Sequence, residues 1–358
     1  FRRVLFRSAE QLHDTFARLI PQDRPVALID YPDSRNCGDH AIWLGEKALL
    51  ARLGITPVYE CSSKTYQREE MQALLGDGTI LMHGGGNFGD RYKQYHEFRL
   101  KVLGDFPNNK TIVFPQQATF LNNAYLQRTA DAIAKHKDVT LFGRGVVAHH
   151  LMQQYFGASA KVLSAPDMAF TLGRLQRLGD PFYDIVWLSR TDQEKATGNS
   201  VESVAGLEQS PKEPLTLPPF DDGLSLVLQC KRRNRAVIVT DWYELYCATQ
   251  EVLSVVHRLP FDEASRVYLD RARFILSLGH IVITDRLHGH ILCLMLGKPH
   301  IFLNNDSGKN WNFYESWTRE SRLCRLARNP QEAWALAQKA LPTVKAAGPD
   351  AAEKIRWM

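Results

Sequence analysis

Apolar positions along this chain fall into two alternating patterns. Short unbroken runs such as Val26-Ala27-Leu28-Ile29-Asp30, Thr79-Ile80-Leu81-Met82-His83, Thr111-Ile112-Val113-Phe114 and Val139-Thr140-Leu141-Phe142 have strand length and are apolar on both faces, as buried parallel strands are. Between them lie stretches with helical spacing. One runs from Gly38 to Gly54, with Ile42, Leu49 and Leu50 on its apolar face and Gly54 as its stop, and another from Asn123 to Lys137. The second half repeats the alternation. Strands are expected at Asp184–Leu188, Ala236–Thr240, His280–Thr284 and Pro299–Leu303, with helices over Glu263–Leu278 and His288–Leu296 and a helical tail from Pro330 to Leu341. Pro115 is expected to end its strand. The polar stretch Thr191–Asp222, with Pro211, Pro214, Pro218 and Pro219, reads as a mobile loop or lid.

Strands alternating with helices predict an α/β fold with parallel sheets covered on both faces. The length of 358 residues favours two domains. The pattern predicts two doubly wound Rossmann-like domains over residues 1–175 and 181–342, facing across a cleft, with a tail over 343–358. In such sheets ligands sit beyond the carboxyl ends of the strands, which makes the cleft the expected site.

Composition narrows the class without choosing a function. Hydrophobic residues make up 44% and charged residues 23%, ordinary for a soluble globular protein. The net charge of +5 is small and dispersed, which argues against nucleic acid as partner and fits an anionic substrate or a negatively charged membrane surface. Lys231-Arg232-Arg233-Asn234-Arg235 reads as a solvated loop. The cysteines Cys37, Cys61, Cys230, Cys247, Cys293 and Cys324 form no CxxC pair, so neither a zinc site nor a disulfide framework is expected and the thiols suit a cytoplasmic protein. The opening Phe1–Ser8 has too few apolar residues for a signal peptide and receives no functional weight.

Three unusual segments follow expected strands. In Asn36-Cys37-Gly38-Asp39-His40-Ala41-Ile42, Gly38 and Asp39 sit where a loop becomes a helix. Asp39 is either a helix N-cap or part of a loop whose N–H groups face a ligand. In His83-Gly84-Gly85-Gly86-Asn87-Phe88-Gly89-Asp90, the glycine run is unsuited to a strand and matches no nucleotide fingerprint. It is a tight turn or a place where a ligand comes close to the backbone, and Asp90 is a candidate general base for a sugar hydroxyl, or an orienter of it. In Thr284-Asp285-Arg286-Leu287-His288-Gly289-His290, an Arg and a His stand at a helix start. That is an anion site, or else Arg286 pairs with a nearby acid and both histidines lie on the surface. Gly143-Arg144-Gly145 is a weaker candidate: an Arg between glycines at a strand end either reaches a cleft or is a surface residue in a turn. Adjacent His149 and His150 do not share a helix face and make no metal pair. The aromatic group between Trp311 and Trp317 is read as packing.

Together these three segments resemble the polysaccharide pyruvyltransferase family in order and spacing, from about Val26 to Asn305, and Val26–Gly38 looks closest to its exopolysaccharide branch. The Thr191–Asp222 stretch has no match. The resemblance implies a GT-B-like fold, phosphoenolpyruvate as co-substrate with no metal or other cofactor, and a pyruvate ketal on a hexose as product. It implies donor binding by Arg144, Arg286, Leu287, His288 and Gly289, and catalysis by Asp90, His288 and Arg286. Asn36, Gly38, Asp39, Gly84, Gly85, Gly86 and Asn87 would form the acceptor or cleft loops. The saccharide acceptor would be free or lipid-linked, the latter bringing the protein to the inner face of the cell membrane. Two other readings share the architecture: a GT-B glycosyltransferase using a nucleotide-sugar, and a non-catalytic sugar-binding member of a polysaccharide assembly.

Overall fold

In a computed structural model of the chain, the structure describes residues 2–204, 214–216, 226–229, 232–233, 237–241, 245–247, 256 and 258–348. The remainder of the Thr191–Asp222 stretch, the ends of the basic run at 231–235 and the tail from 349 onward lie outside the described residues. Two compact units emerge. One consists of Phe6–Ser34 and Ala41–Leu172; the other consists of Gly173–Met358 together with Phe1–Leu5 and Arg35–His40. The segment Arg35–His40 thus belongs with the C-terminal half of the chain.

The first unit is built on a largely parallel sheet. Strands β1 (Val26–Ile29), β2 (Tyr59–Cys61), β3 (Thr79–Met82), β5 (Thr111–Thr119), β6 (Val139–Gly143) and β7 (Lys161–Ser164) run in the order β2-β1-β3-β5-β6-β7, and β4 (Gly85–Gly89) pairs with β5. Every residue of β1, β3 and β6 is buried, as the unbroken apolar runs require of strands covered on both faces. Helices α2 (Cys37–Arg52), α3 (Arg68–Leu75), α4 (Lys93–Asp105), α5 (Asn123–Ala134) and α6 (Val146–Phe156) alternate with the strands. The opening residues enter helix α1 (Arg2–Ala17), whose Phe16 ring lies 4.9 Å from Phe114 and 4.8 Å from Phe142.

Two expectations fail here. Pro115 does not stop its strand. Pairing of β5 with β6 jumps from Val113 to Gln116, so the proline, which has no N–H to give, falls where the ladder is broken. The glycine run does not stay outside the sheet either. Gly85–Gly89 becomes β4 because β5 runs on past the end of its pairing with β3 at Val113 and supplies partners there, Gly85 opposite Gln116 and Gly89 opposite Thr119.

The second unit holds a six-stranded sheet in the order β11-β12-β8-β14-β15-β16. Its strands are β8 (Tyr183–Leu188), β11 (Arg232–Arg233), β12 (Val237–Thr240), β14 (Gly279–Thr284), β15 (His300–Leu303) and β16 (Cys324–Ala327), parallel except for β11. Strands β9 (Pro214–Thr216), β10 (Leu226–Gln229) and β13 (Leu245–Cys247) form a separate antiparallel sheet. Helices α7 (Phe261–Ser277), α8 (Leu287–Met295), α9 (Lys309–Phe313) and α10 (Pro330–Ala347) complete the unit. Ile185, Trp187, Val239, Ile281, Ile283 and Ile301 form its core with Ala333 and Ala337 of α10. Among the described residues no helix is long and apolar enough to cross a membrane.

In both sheets the chain order reverses direction once. In the first unit the reversal falls between β1 and β3, and in the second between β8 and β14. The crevice at such a switch point is where doubly wound sheets bind ligands. The residues that follow these four strands are Asp30, His83, Ser189-Arg190 and Asp285-Arg286.

Candidate functional sites at the two switch points

The second unit's switch point carries an alternating chain of charges. Arg286 gives Nε and Nη2 to the two carboxylate oxygens of Asp241, the Nη2 bond at 2.6 Å, and its Nη2 also reaches Asp192 Oδ2 at 3.0 Å. Arg190 holds the same Asp192 through Nε at 2.9 Å and Nη2 at 3.1 Å, and pairs with Glu194 at 2.6 Å. Glu194 in turn binds Lys309. Arg286 is therefore paired with acids, but with Asp241 and Asp192 and not with its neighbour Asp285. That carboxylate accepts the backbone N–H of Arg190 at 2.8 Å, and burial raises its pKa above the usual carboxylate range. Burial also works to raise Asp192, but Arg286 and Arg190 together hold it below its ordinary value. Asp192 is the most open acid of this chain, 20% exposed against 3% or less for Asp241 and Glu194.

Helix α8 starts on this network. Its N-cap is Arg286, whose side chain makes no cap bond, so the first-turn N–H groups of Leu287, His288 and Gly289 precede any intrahelical acceptor and turn the positive end of the helix toward the strand ends. Gly289 lets the helix press onto β14; a Cβ there would come within 2.5 Å of Thr284 Oγ1. His288 and His290 are both buried, not on the surface.

The segment Asn36–Asp39 meets the same helix start. Asn36 is the N-cap of α2, its Oδ1 accepting from the Gly38 N–H at 3.2 Å while its Nδ2 donates to Asp39 at 3.0 Å. Asp39 is thus a first-turn acid and not the cap. Gly38 lies directly against the His288 ring: a Cβ on it would stand 2.2 Å from Nδ1 and 2.7 Å from the His288 Cβ. Beyond it, His40 bonds Ser265 at 3.0 Å and stacks on Tyr268 of α7 with ring centroids 4.2 Å apart. Two motifs far apart in sequence therefore form one site.

The first unit's switch point is a buried polar network. Arg99 of α4 reaches Asp30 at 2.5 Å, Asn87 Oδ1 at 2.7 Å, the Asn87 carbonyl at 3.1 Å and the His83 carbonyl at 3.3 Å. Glu46 of α2 binds His83 Nδ1 and the Gly84 N–H, both at 2.8 Å. Gln116 donates to the His83 carbonyl at 2.7 Å. Burial pushes Asp30 up to about 6, against the pull of Arg99. Gly86 and Asn87 are the half-buried tip of the glycine loop, and Gly84 and Gly85 are buried.

Two expected site residues have structural partners in this unit. Asp90 accepts the N–H groups of Leu121 at 2.7 Å and Asn122 at 2.8 Å, tying the end of β4 to the turn before α5. Arg144 does not extend into solvent; it is buried and paired with Asp167 at 2.6 Å.

Arg190, Asp192, Asp241, Lys309, Asp30 and Arg99 were not marked by any motif. The one signal is position, and only for three of them: Asp30 and Asp241 directly follow strands, and Arg190 lies two residues past the end of β8. Among the described residues, His290, His300 and Cys324 bring metal-ligating atoms within 4.8 Å of one another. All four ring nitrogens are engaged in a buried relay: His290 Nε2 with Thr318 at 2.9 Å, His290 Nδ1 with His300 Nε2 at 2.8 Å, and His300 Nδ1 with the Lys298 carbonyl at 2.9 Å. Burial also keeps Cys324 protonated, far above its usual pKa. The trio is core hydrogen bonding.

Parallel sheets with helices between their strands, each with one switch point, place the chain among the Rossmann-like α/β folds. A family model described as polysaccharide pyruvyl transferase matches residues 36–211 and 275–307, more than half of the chain, and both loop systems fall largely within it. The chain belongs to the polysaccharide pyruvyltransferase family. It is 29% identical over 306 residues to "Pyruvyl transferase 1" of Schizosaccharomyces pombe, covering 82% of this chain and 70% of that one. It is 28% identical over 318 residues to "Putative pyruvyl transferase EpsO" of Bacillus subtilis, covering 87% and 91%. The fold resembles the crystal structure of a functionally uncharacterised protein from Klebsiella pneumoniae, with a TM-score of 0.53, 17% identity, and coverage of 88% and 96%. Family membership makes pyruvyl transfer in polysaccharide biosynthesis its activity class.

Proposed function

We propose that this protein is a GT-B-like transferase that moves the pyruvyl group of phosphoenolpyruvate onto two hydroxyls of a hexose, forming a ketal and releasing phosphate. The observation that carries the reading is the meeting of Gly38 with His288 at the start of α8, beside the Arg286–Asp192–Arg190 chain. Phosphoenolpyruvate has a phosphate and a carboxylate on three carbons, and it needs several N–H donors in a small space. The α8 first turn, Arg286 and His288 provide them. Asp192 already bridges both guanidinium groups with a carboxylate, the place a donor phosphate or carboxylate takes when it binds. The donor belongs to this unit and the acceptor to the Gly84–Asp90 loop of the other, with Asn36, Gly38 and Asp39 shaping the donor side.

In the reaction, the donor methylene gains a proton and its central carbon becomes oxocarbenium-like. One sugar hydroxyl adds to that carbon as it loses its proton. The second hydroxyl then displaces phosphate and closes the ketal. His288 acts as acid or phosphate ligand. Asp90 takes the hydroxyl proton, each of its oxygens having a lone pair beyond the backbone bond it accepts. Arg286 steadies the charge that grows on the departing phosphate. Arg144 is engaged by Asp167. The acceptor is a saccharide, free or lipid-linked, and a lipid-linked one places the reaction at the inner face of the cell membrane.

Incubation with phosphoenolpyruvate labelled with carbon-13 at the central carbon, together with a panel of p-nitrophenyl hexosides and the free hexoses, tests the reading. A ketal carbon signal with equimolar phosphate supports it. Phosphate release without a ketal, or turnover of a nucleotide-sugar instead, sinks it.

A further inference from the structure

Asp30 has two properties that its place in the core does not explain. It is the one non-glycine residue with positive φ among the described residues, at 71°, directly after β1. Its side chain is 1% exposed, and neither carboxylate oxygen meets a hydrogen-bond partner of good geometry, although Arg99 stands 2.5 Å away as an ion pair. A left-handed backbone and an under-satisfied buried carboxylate are both costly and persist where the surroundings impose them.

What they serve is visible one step further. Arg99 is equally buried and holds Asn87 twice, at its backbone carbonyl and at its side-chain Oδ1. That second bond fixes the amide: its oxygen faces inward to the guanidinium, so its NH2 faces the open side of the loop tip. Gln116 braces the same loop, its Oε1 3.4 Å from the Asn87 N–H and its Nε2 on the His83 carbonyl. We propose that Asp30 and Arg99 are a positioning pair that presents the Asn87 NH2 group as a hydrogen-bond donor to an oxygen of the saccharide acceptor. The inference deepens the reading of Gly84–Asp90 as the acceptor loop and rests on it. Asp30 fixes Arg99, Arg99 fixes Asn87, and only Asn87 touches the ligand.

Asn87→Asp separates presentation from packing. The new carboxylate still accepts from Arg99, but the outward donor is replaced by an acceptor. With p-nitrophenyl hexosides and phosphoenolpyruvate, Asn87→Asp is expected to keep the thermal midpoint and the KM for phosphoenolpyruvate within twofold of wild type. Its kcat/KM for the hexoside falls at least tenfold. Arg99→Lys keeps the charge opposite Asp30 but loses the double hold on Asn87, and shows the same split. Asp30→Asn lowers the midpoint, because it leaves the buried Arg99 guanidinium without its acid, but shows the same kinetic split, and Asp30→Asn combined with Asn87→Asp loses no more hexoside kcat/KM than Asn87→Asp alone, because the two act in one chain.

Normal hexoside kcat/KM in Asn87→Asp and Arg99→Lys overturns the inference, as does a parallel rise in the KM for phosphoenolpyruvate. If wild type transfers nothing to any hexoside, the pyruvyl-transfer reading is what fails. Hydrogen exchange then decides the positioning claim alone. Arg99→Lys should speed exchange in the peptide covering 84–90 and leave the peptide covering 286–296 unchanged; uniform acceleration, or none, overturns it.

Discussion

Replacing Gly38 with alanine adds one methyl group at the point where two distant motifs meet. The new Cβ would stand 2.2 Å from His288 Nδ1, 2.3 Å from Cγ and 2.7 Å from Cβ. Ordinary carbon contacts lie at about 3.5–4.0 Å, so the ring must retreat by more than about 1 Å. Turning the ring is insufficient, because the His288 Cβ is itself too close and belongs to a helix whose every residue is buried. Either α8 or the Asn36–Asp39 turn has to shift. Overpacking of this kind costs about 1–3 kcal/mol, and in a unit of this size each kcal/mol lowers the midpoint by roughly 2–4 °C. A displacement of about 1 Å at a positioned group costs on the order of 100-fold in rate, or about 2.7 kcal/mol of transition-state stabilisation. Gly38→Ala should therefore fold, melt a few degrees lower, and lose roughly 100-fold in kcat/KM for phosphoenolpyruvate. Scanning calorimetry and steady-state phosphate release check both parts. A folded Gly38→Ala with kcat/KM within threefold of wild type would refute the claim that Gly38 and His288 form one site.

Three further outcomes follow from the charge network and the buried histidines. Arg286→Ala leaves the fully buried Asp241 without its guanidinium; an uncompensated buried charge costs about 3–5 kcal/mol, so calorimetry should show a midpoint lower by roughly 10 °C. Asp192→Asn removes the carboxylate that occupies Arg190 and Arg286, and its Kd for phosphoenolpyruvate by calorimetric titration should fall about fivefold, roughly one charge-assisted bond's difference; a weaker Kd would mean that Asp192 orients the arginines instead. Burial lowers His96 to about 3 and His300 to about 4, and holds His290 well below its ordinary 6.5. The unfolded chain protonates all three as pH falls through 6.5 and the native one does not, so their stability contribution is full above 6.5 and declines below it. Asp30, raised to about 6, works the other way between about 6 and its ordinary 3.8. At about 1.4 kcal/mol per pH unit for each group, His96 and His300 offset by Asp30 give a net loss on the order of 3 kcal/mol from pH 7 to pH 5 in urea unfolding, with His290 acting in the same direction, and unchanged stability would contradict the burial of these rings.

Elements with a local signature were legible in the chain. The runs at Val26–Ile29, Thr79–Met82 and Ile281–Thr284 became strands because an unbroken apolar run fits only a strand buried on both faces. Gly85–Gly89 was not legible as a strand, since its pairing comes from the extension of β5 past β3 and not from its own residues. Helix α1 was missed at its charged start, although Leu12 and Phe16 are buried at helical spacing. The same division holds for the site. Arg286, His288 and the glycine loop stand out because their local sequences are unusual. Arg190, Asp192 and Asp241 sit in ordinary polar loops, Lys309 opens a short helix, and the four become a network only when strand order brings them together. The contact between Gly38 and His288 has no local trace at all.

The central claim, that the start of α8 binds phosphoenolpyruvate, is tested most directly by thermal-shift titration of wild type and His288→Gln with phosphoenolpyruvate, inorganic phosphate and UDP-sugars. A ligand that binds only the folded protein raises its midpoint. The account predicts a saturable rise with phosphoenolpyruvate that exceeds the response to phosphate and is strongly reduced in His288→Gln. A rise with a UDP-sugar and none with phosphoenolpyruvate would contradict it.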